Sequence, residues 1–340
     1  MLKLRFALGL VLLTLISVLS CQSPDQKVKK EALKTKIDLK LVRFDQELFN
    51  HASQPQLVQK KYPNFFNFYC THILPDEVNK DSATLFQFLT TVLQKKDLQS
   101  MRDTLNKHFP HFEQDYMPAL TEAMQMHHYY FPKTKIPTVY TFFSEFSVGC
   151  FTDGPEVLGI GLDLFLGPKF PVYDYFGIPY FIKRNCVPNK IVPTAMKAYA
   201  KNFVPEDEFH HRLIDKMVAE GKILYYLDRV LPDAADSIKM DYTANQLKWC
   251  KTFEYRIWEY MIKYELLYKT DRQIISDFMN ISPVTPGMPS EAPGRLGVWV
   301  GWQIVKKYME LNPKTSLEDL FRMTDGRVIL EGSKYKPSKQ

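Results

Sequence analysis

The sequence predicts a mainly helical α+β domain with one small antiparallel sheet, preceded by a secretory leader. Three observations carry this. Apolar residues recur at helical spacing on both flanks of the chain; β-branched and aromatic residues concentrate in 136–147 and 156–167; and the first twenty residues run from positive charge into a mostly apolar stretch. A length of 340 residues allows one large core. The boundaries we expect are a leader at 1–20, a flexible lysine-rich tether at 21–36, a single domain at 37–333 and a polar tail at 334–340.

In the leader, Lys3 and Arg5 precede an apolar run from Ala7 to Leu19. That run is shorter than the roughly 20 residues a spanning helix needs. It ends in Leu19-Ser20-Cys21, which resembles a bacterial lipobox. The resemblance implies cleavage before Cys21, lipidation of its thiol, and attachment to a membrane by acyl chains. Each buried methylene adds ~0.8 kcal/mol, so the several chains of such an anchor hold durably. Residues 22–36 carry lysines and few large apolar groups, as a solvated linker does. Removing Lys3 and Arg5 lowers the formal charge of +6 to +4. So balanced a chain lacks the basic excess of a nucleic-acid-binding protein.

In the domain, Ile37, Leu39 and Leu41 alternate as in a strand, and Arg43-Phe44-Asp45 leads into a helix. Helical periodicity covers 82–96 and 112–130, with Pro110 and Pro132 as punctuation. His127 and His128 are adjacent, so on a helix they point about 100° apart and suit packing better than joint chelation. The β-rich runs 136–147 and 156–167, separated by the turn-like VGCFTDGP, read as a long hairpin, with Gly159 and Gly161 marking close backbone approach. Helices are expected at 236–249, 251–269 and 297–310, with Trp249, Phe253, Ile257 and Met261 as a core stripe. Gly297 and Gly301 give the last helix a face that another backbone can approach. The Pro-Gly loop ahead of it places Arg295 at a helix start, as a candidate anion or carboxylate contact. Cys70, Cys150, Cys186 and Cys250 could form two disulfides in three pairings, but without a CxxC motif we read them as buried thiols.

The most informative stretch is 191–231, two helices joined by a polar turn. Leu213, Met217, Glu220 and Leu224 share one helical face, and Glu220 is its lone charge, so it needs a cation, a donor or a metal. The pair resembles the core of a zincin metallopeptidase, where one helix carries HExxH and the next a glutamate ligand. That resemblance implies a zincin-like fold, with the small sheet ahead of the first helix and its edge strand along the cleft. The positions matching HExxH are Met196, Lys197, Ala198, Tyr199 and Ala200. They supply no imidazole, so no metal, cofactor or catalytic residue is expected, and Lys197 is instead a candidate ion-pair partner of Glu220.

RFDQELF at 43–49, KYPNFFNFY at 61–69, MVAEGKILYYLD at 217–228, EYRIWEYM at 254–261 and PGRLGVWVGWQIVKKYM at 293–309 together resemble the GldB gliding-motility lipoproteins of Bacteroidetes. This implies a membrane-anchored cell-envelope lipoprotein, on the periplasmic side, required for gliding. Its implied partners are envelope proteins of the gliding and type IX secretion machinery, and its implied role is non-catalytic. Two other readings stay open at this point. One is an envelope metallopeptidase with atypical ligands, His210 or His211 with Glu220; the other is a periplasmic ligand-binding lipoprotein.

Overall fold

The computed structural model describes residues 24–74, 81–205 and 211–339. The leader 1–20 and Cys21 lie outside them. The chain divides into two units, Met1–Lys36 and Ile37–Gln340. In the first, Pro24–Ala32 forms a helix (α1), where the sequence reading expected a flexible tether. The segment explains itself: Pro24 starts it, Gln, Lys, Glu and Ala are strong helix formers, and Lys29 and Lys30 sit at the favourable C-terminal end.

The second unit opens with β1 (Lys40–Arg43). Then come α2 (Phe44–Asn50), α3 (Pro55–Lys61), α4 (Pro63–His72), α5 (Ser82–Val92), α6 (Lys96–His108) and α7 (Phe112–Tyr130). The strands β2 (Thr138–Phe142), β3 (Cys150–Asp153) and β4 (Val157–Gly161) follow. Among the described residues four strands form one sheet in the order β1-β2-β4-β3. The expected hairpin is not there. β2 runs parallel to both β1 and β4, with Thr138 opposite Lys40 and Val157, and only β3 is antiparallel, pairing Phe151 with Gly159. The sheet is therefore mixed. The error lay in reading VGCFTDGP as a turn: its Cys150-Phe151-Thr152 is itself a strand on the far side of β4. Alternation of side chains reports strands but not their direction. Gly159 has no side chain because the Phe151 ring lies across it, and a methyl group at Gly161 would overlap the Val148 carbonyl.

Two of the recurring motifs turn out to be packing devices. Arg43 holds Asp45 through two hydrogen bonds (2.8 and 3.1 Å), and Asp45 accepts from the Thr141 hydroxyl, fastening the start of α2 to β2. Phe65 of α4 stacks on Tyr140 (4.1 Å between centroids), while the Tyr69 hydroxyl donates to the Phe143 carbonyl.

Past the sheet lie the short α8 (Pro171–Tyr175) and α9 (Tyr180–Lys183), then α10 (Ile191–Ala200) and α11 (Leu213–Val230). After them come α12 (Asp236–Met240), α13 (Ala244–Thr252), α14 (Glu254–Lys263), α15 (Arg272–Met279), α16 (Leu296–Leu311), α17 (Leu317–Arg322) and α18 (Gly326–Ser333). The helix expected over 236–249 is broken at Asp241, which adopts the left-handed conformation (φ 62°). The helix expected over 251–269 stops at Lys263. Ile257 and Met261 do face the core, whereas Phe253 is exposed. At the C-terminal end Tyr335 is docked, donating to Glu254 (2.7 Å) and meeting Trp258 edge-on, so the segment expected as a polar tail begins with an anchored ring.

The core centres on the crossing of α11 and α16. Gly221 and Gly301 sit backbone to backbone there: a methyl on either would run into the carbonyl of Gly301 or Met217 respectively. Around this contact Trp302 donates its indole N–H to Asp228 (2.8 Å), and Lys239 pairs with the same carboxylate (2.8 Å). The thiols of Cys70, Cys186 and Cys250 are buried and that of Cys150 half-buried. Burial pushes the thiols of Cys70 and Cys250 up to about 12 and that of Cys186 up to about 11.

His127 is a core residue. Its ring stacks on Phe131, and the Thr134 hydroxyl, already donating to the Phe131 carbonyl, accepts from Nε2–H. Nδ1 is then left to accept from the Tyr226 hydroxyl (3.1 Å), which assigns the neutral tautomer. Burial, helped by neighbouring His128, lowers the imidazole to about 3. An unfolded histidine titrates near 6.5, so the unfolded chain takes the proton first. Stability is full above about 6.5 and lost as pH falls towards 3. Between pH 7 and pH 5 the wild type is expected to lose about 2 kcal/mol more in urea unfolding than His127→Gln does.

Candidate functional site

The site assembles where α10, α11, the start of α16 and the turn after α12 converge. Lys190, just ahead of α10, bonds one oxygen of Asp241 (2.9 Å) and the Ile238 carbonyl (2.7 Å). Lys197 bonds the other Asp241 oxygen at 2.6 Å. Arg295 reaches Asp241 and Glu220, both at 3.6 Å. Arg184 donates to the Asp241 carbonyl (3.3 Å) and to Gln246 (2.8 Å). Three of these cations are largely out of water: the side chains of Lys190, Arg295 and Lys197 are 6%, 13% and 16% exposed.

Sequence reasoning singled out Glu220, Lys197 and Arg295, and the structure brings all three to one cluster with different pairings. Lys197 goes to Asp241, and the partner of Glu220 is Arg295. The reason is position: α10 points Lys197 at the turn after α12, while the Pro-Gly loop delivers Arg295 over α11. That loop is fixed by the Tyr242 hydroxyl donating to the Gly294 carbonyl (2.6 Å) and by Thr285 donating to that of Pro293 (2.7 Å). Arg295, expected as an anion or carboxylate contact, meets two carboxylates of its own chain.

Asp241 is the residue that sequence reading missed. It is the hub, and both it and Arg295 hold left-handed backbones (φ 62° and 64°), an uncommon state for side chains of this kind. A usable signal was present: Thr243 and Gln246 form a capping box, which starts a new helix and leaves Asp241 in the break. Burial alone would push the Asp241 carboxyl up, but the combined attraction of Lys197, Lys190 and Arg295 overrides it and holds the group well below the usual carboxylate range. For Lys190, burial wins over Asp241 and lowers the ammonium.

Zinc does not fit this site. Met196 and Ala200, at the positions compared with histidine ligands, are buried in the core and bring no donor. His211 is exposed and precedes α11, which begins at Leu213, and His210 lies outside the described residues. Among the described residues no three His, Cys, Asp or Glu side chains are grouped to hold a metal ion.

A cleft of about 290 Å³ opens beside the cluster. Arg184, Asp241, Gln246 and Arg295 form its polar side, and Phe165, Phe181, Ile182 and Ile281 are among its apolar walls. Gly149, directly before β3, borders it too.

No curated protein and no solved structure matches the chain. The family model described as gliding motility protein GldB matches residues 25–337, nearly the whole of it. The chain therefore belongs to the GldB family of gliding-motility lipoproteins.

Proposed function

We propose that this lipoprotein is a non-catalytic component or accessory of the gliding and type IX secretion machinery, working by contact with other envelope proteins on a zincin-like framework. Lipid on Cys21 holds it to a membrane, facing the periplasm. The family's lipoprotein character agrees with anchoring by lipid. The observation that carries the non-catalytic reading is the ion cluster. Where a zincin would gather imidazoles around a metal, this chain gathers Lys190, Lys197 and Arg295 around Asp241. The sheet supports the framework, with an antiparallel edge strand ahead of the first helix of the pair. Among the described residues β3 makes its ladder with β4 alone, so its outer edge can accept an extended peptide by strand addition, which needs no metal.

The test is metal analysis and peptide cleavage on the purified full-length protein and on Glu220→Ala. The expected result is no stoichiometric zinc and no cleavage from either. Glu220 is a third exposed and paired at 3.6 Å, so the variant loses only about 1 kcal/mol of stability. One zinc per chain, lost together with cleavage in the variant, would overturn the reading. Crosslinking and mass spectrometry in gliding cells is expected to name neighbours within the envelope machinery.

A further inference from the structure

We propose that the cleft beside Asp241 binds the terminal carboxylate of a peptide whose last side chain is apolar. This builds on the reading above, that the cleft holds a chain rather than cutting it.

Charge is the first reason. Among the described residues the cluster joins four cations, Arg184, Lys190, Lys197 and Arg295, to two carboxylates, Glu220 and Asp241, a formal excess of two positive charges. Excess charge held away from water is costly unless a counter-charge arrives. Asp241, although part of the wall, offers little repulsion, because its two oxygens are taken by Lys190 and Lys197.

The second reason is unspent donor capacity. Both contacts of Arg295 lie at 3.6 Å, beyond ordinary hydrogen-bond reach. Arg184 commits only Nη2, to Gln246 and the Asp241 carbonyl, which leaves Nη1 as its further donor. Two guanidiniums with donors to spare on one cleft are suited to a carboxylate, which accepts from them in pairs.

Size and lining select the rest of the ligand. A space of about 290 Å³ is at the small end of ligand sites, enough for one side chain and its carboxylate. Its walls include Phe165, Phe181, Ile182 and Ile281, which suit an apolar side chain and disfavour a bare phosphate. The cleft also reaches Gly149, the residue directly before β3.

The experiment is fluorescence anisotropy on the detergent-solubilised full-length protein. The probe is an N-terminally labelled hexapeptide ending in leucine, prepared as free acid and as amide, with inorganic phosphate and laurate as competitors. The free acid is expected to bind, and the amide to bind at least about tenfold more weakly, since it leaves the guanidiniums without their charged partner. Arg295→Gln and Arg184→Gln are expected to weaken the free acid about as much. Those residues also brace the fold, so Ile182→Asp serves as the independent variant. Ile182 is 37% exposed, so the variant is expected to stay folded, as its melting curve checks, while an added anion at the wall abolishes binding. Equal binding of acid and amide, indifference to Ile182→Asp, or occupancy by phosphate or laurate with no peptide binding would each overturn the proposal. If that happens while zinc and cleavage stay absent, the carboxylate pocket falls and the binding-protein reading stands.

Discussion

Asp241→Asn is expected to destabilise the protein by about 3–5 kcal/mol at neutral pH. The variant keeps the shape of the side chain and removes the only charge among the described residues that touches Lys190 and Lys197 within hydrogen-bond distance. Lys190 is 6% exposed and has no water to fall back on. Breaking a buried pair costs more than the pair itself contributes, because the surviving ion is left unsolvated. The double variant Asp241→Asn with Lys190→Met is therefore expected to recover part of the loss. Acid has the same effect on the wild type. Burial opposes ionisation of Asp241, but Lys197, Lys190 and Arg295 depress its titration below the usual carboxylate range. The contribution is thus complete above the unfolded value near 4 and disappears as pH falls below it. Between pH 7 and pH 3 the wild type should lose about 1 kcal/mol more in urea unfolding than Asp241→Asn, since over that range only the unfolded chain takes up the proton. A neutral-pH difference below about 1 kcal/mol would mean that the cluster does not hold the fold.

Gly301→Ala is the second large effect. In an open helix this change stabilises by about 0.5–1 kcal/mol through lost backbone freedom. Here the new methyl group would overlap the Met217 carbonyl in α11, a backbone atom that cannot swing aside. Either the two helices part or the bond geometry distorts, and overpacking of this sort costs about 1–3 kcal/mol, occasionally more. The clash is the larger of the two opposing effects, so a net loss of about 1–2 kcal/mol is expected in thermal or urea unfolding. Gly221→Ala strains the same contact, and the two losses should combine to less than their sum.

That crossing was half legible in the sequence. Gly297 and Gly301 announced a close approach, but nothing in the pattern named Gly221 as the other side. The Glu220-Gly221 pair drew notice for its carboxylate, while the glycine is what seats the helix. The pair α10 and α11 was readable from apolar periodicity and fell where expected, as did α7 and α16. The direction of β2 relative to β4 was not readable, because pairing depends on which strand arrives alongside, and that is decided by long connections. Likewise Glu220, Lys197 and Arg295 were recognisable as charges in need of partners. Their pairing was not, since Asp241 reaches them only through a left-handed break that a continuous helical pattern conceals.

The parallel pairing of β1 with β2 brings Lys40 beside Thr138, with the whole run α2–α7 between them. Such a sheet has high contact order: the loop must close at full entropic cost before the ladder returns any of it. A chain still in an extended state thus exposes the edge of β2 for as long as the intervening helices take to gather. During that interval it is open to mispairing with another copy, and four residues at the head of the domain decide when the vulnerability ends.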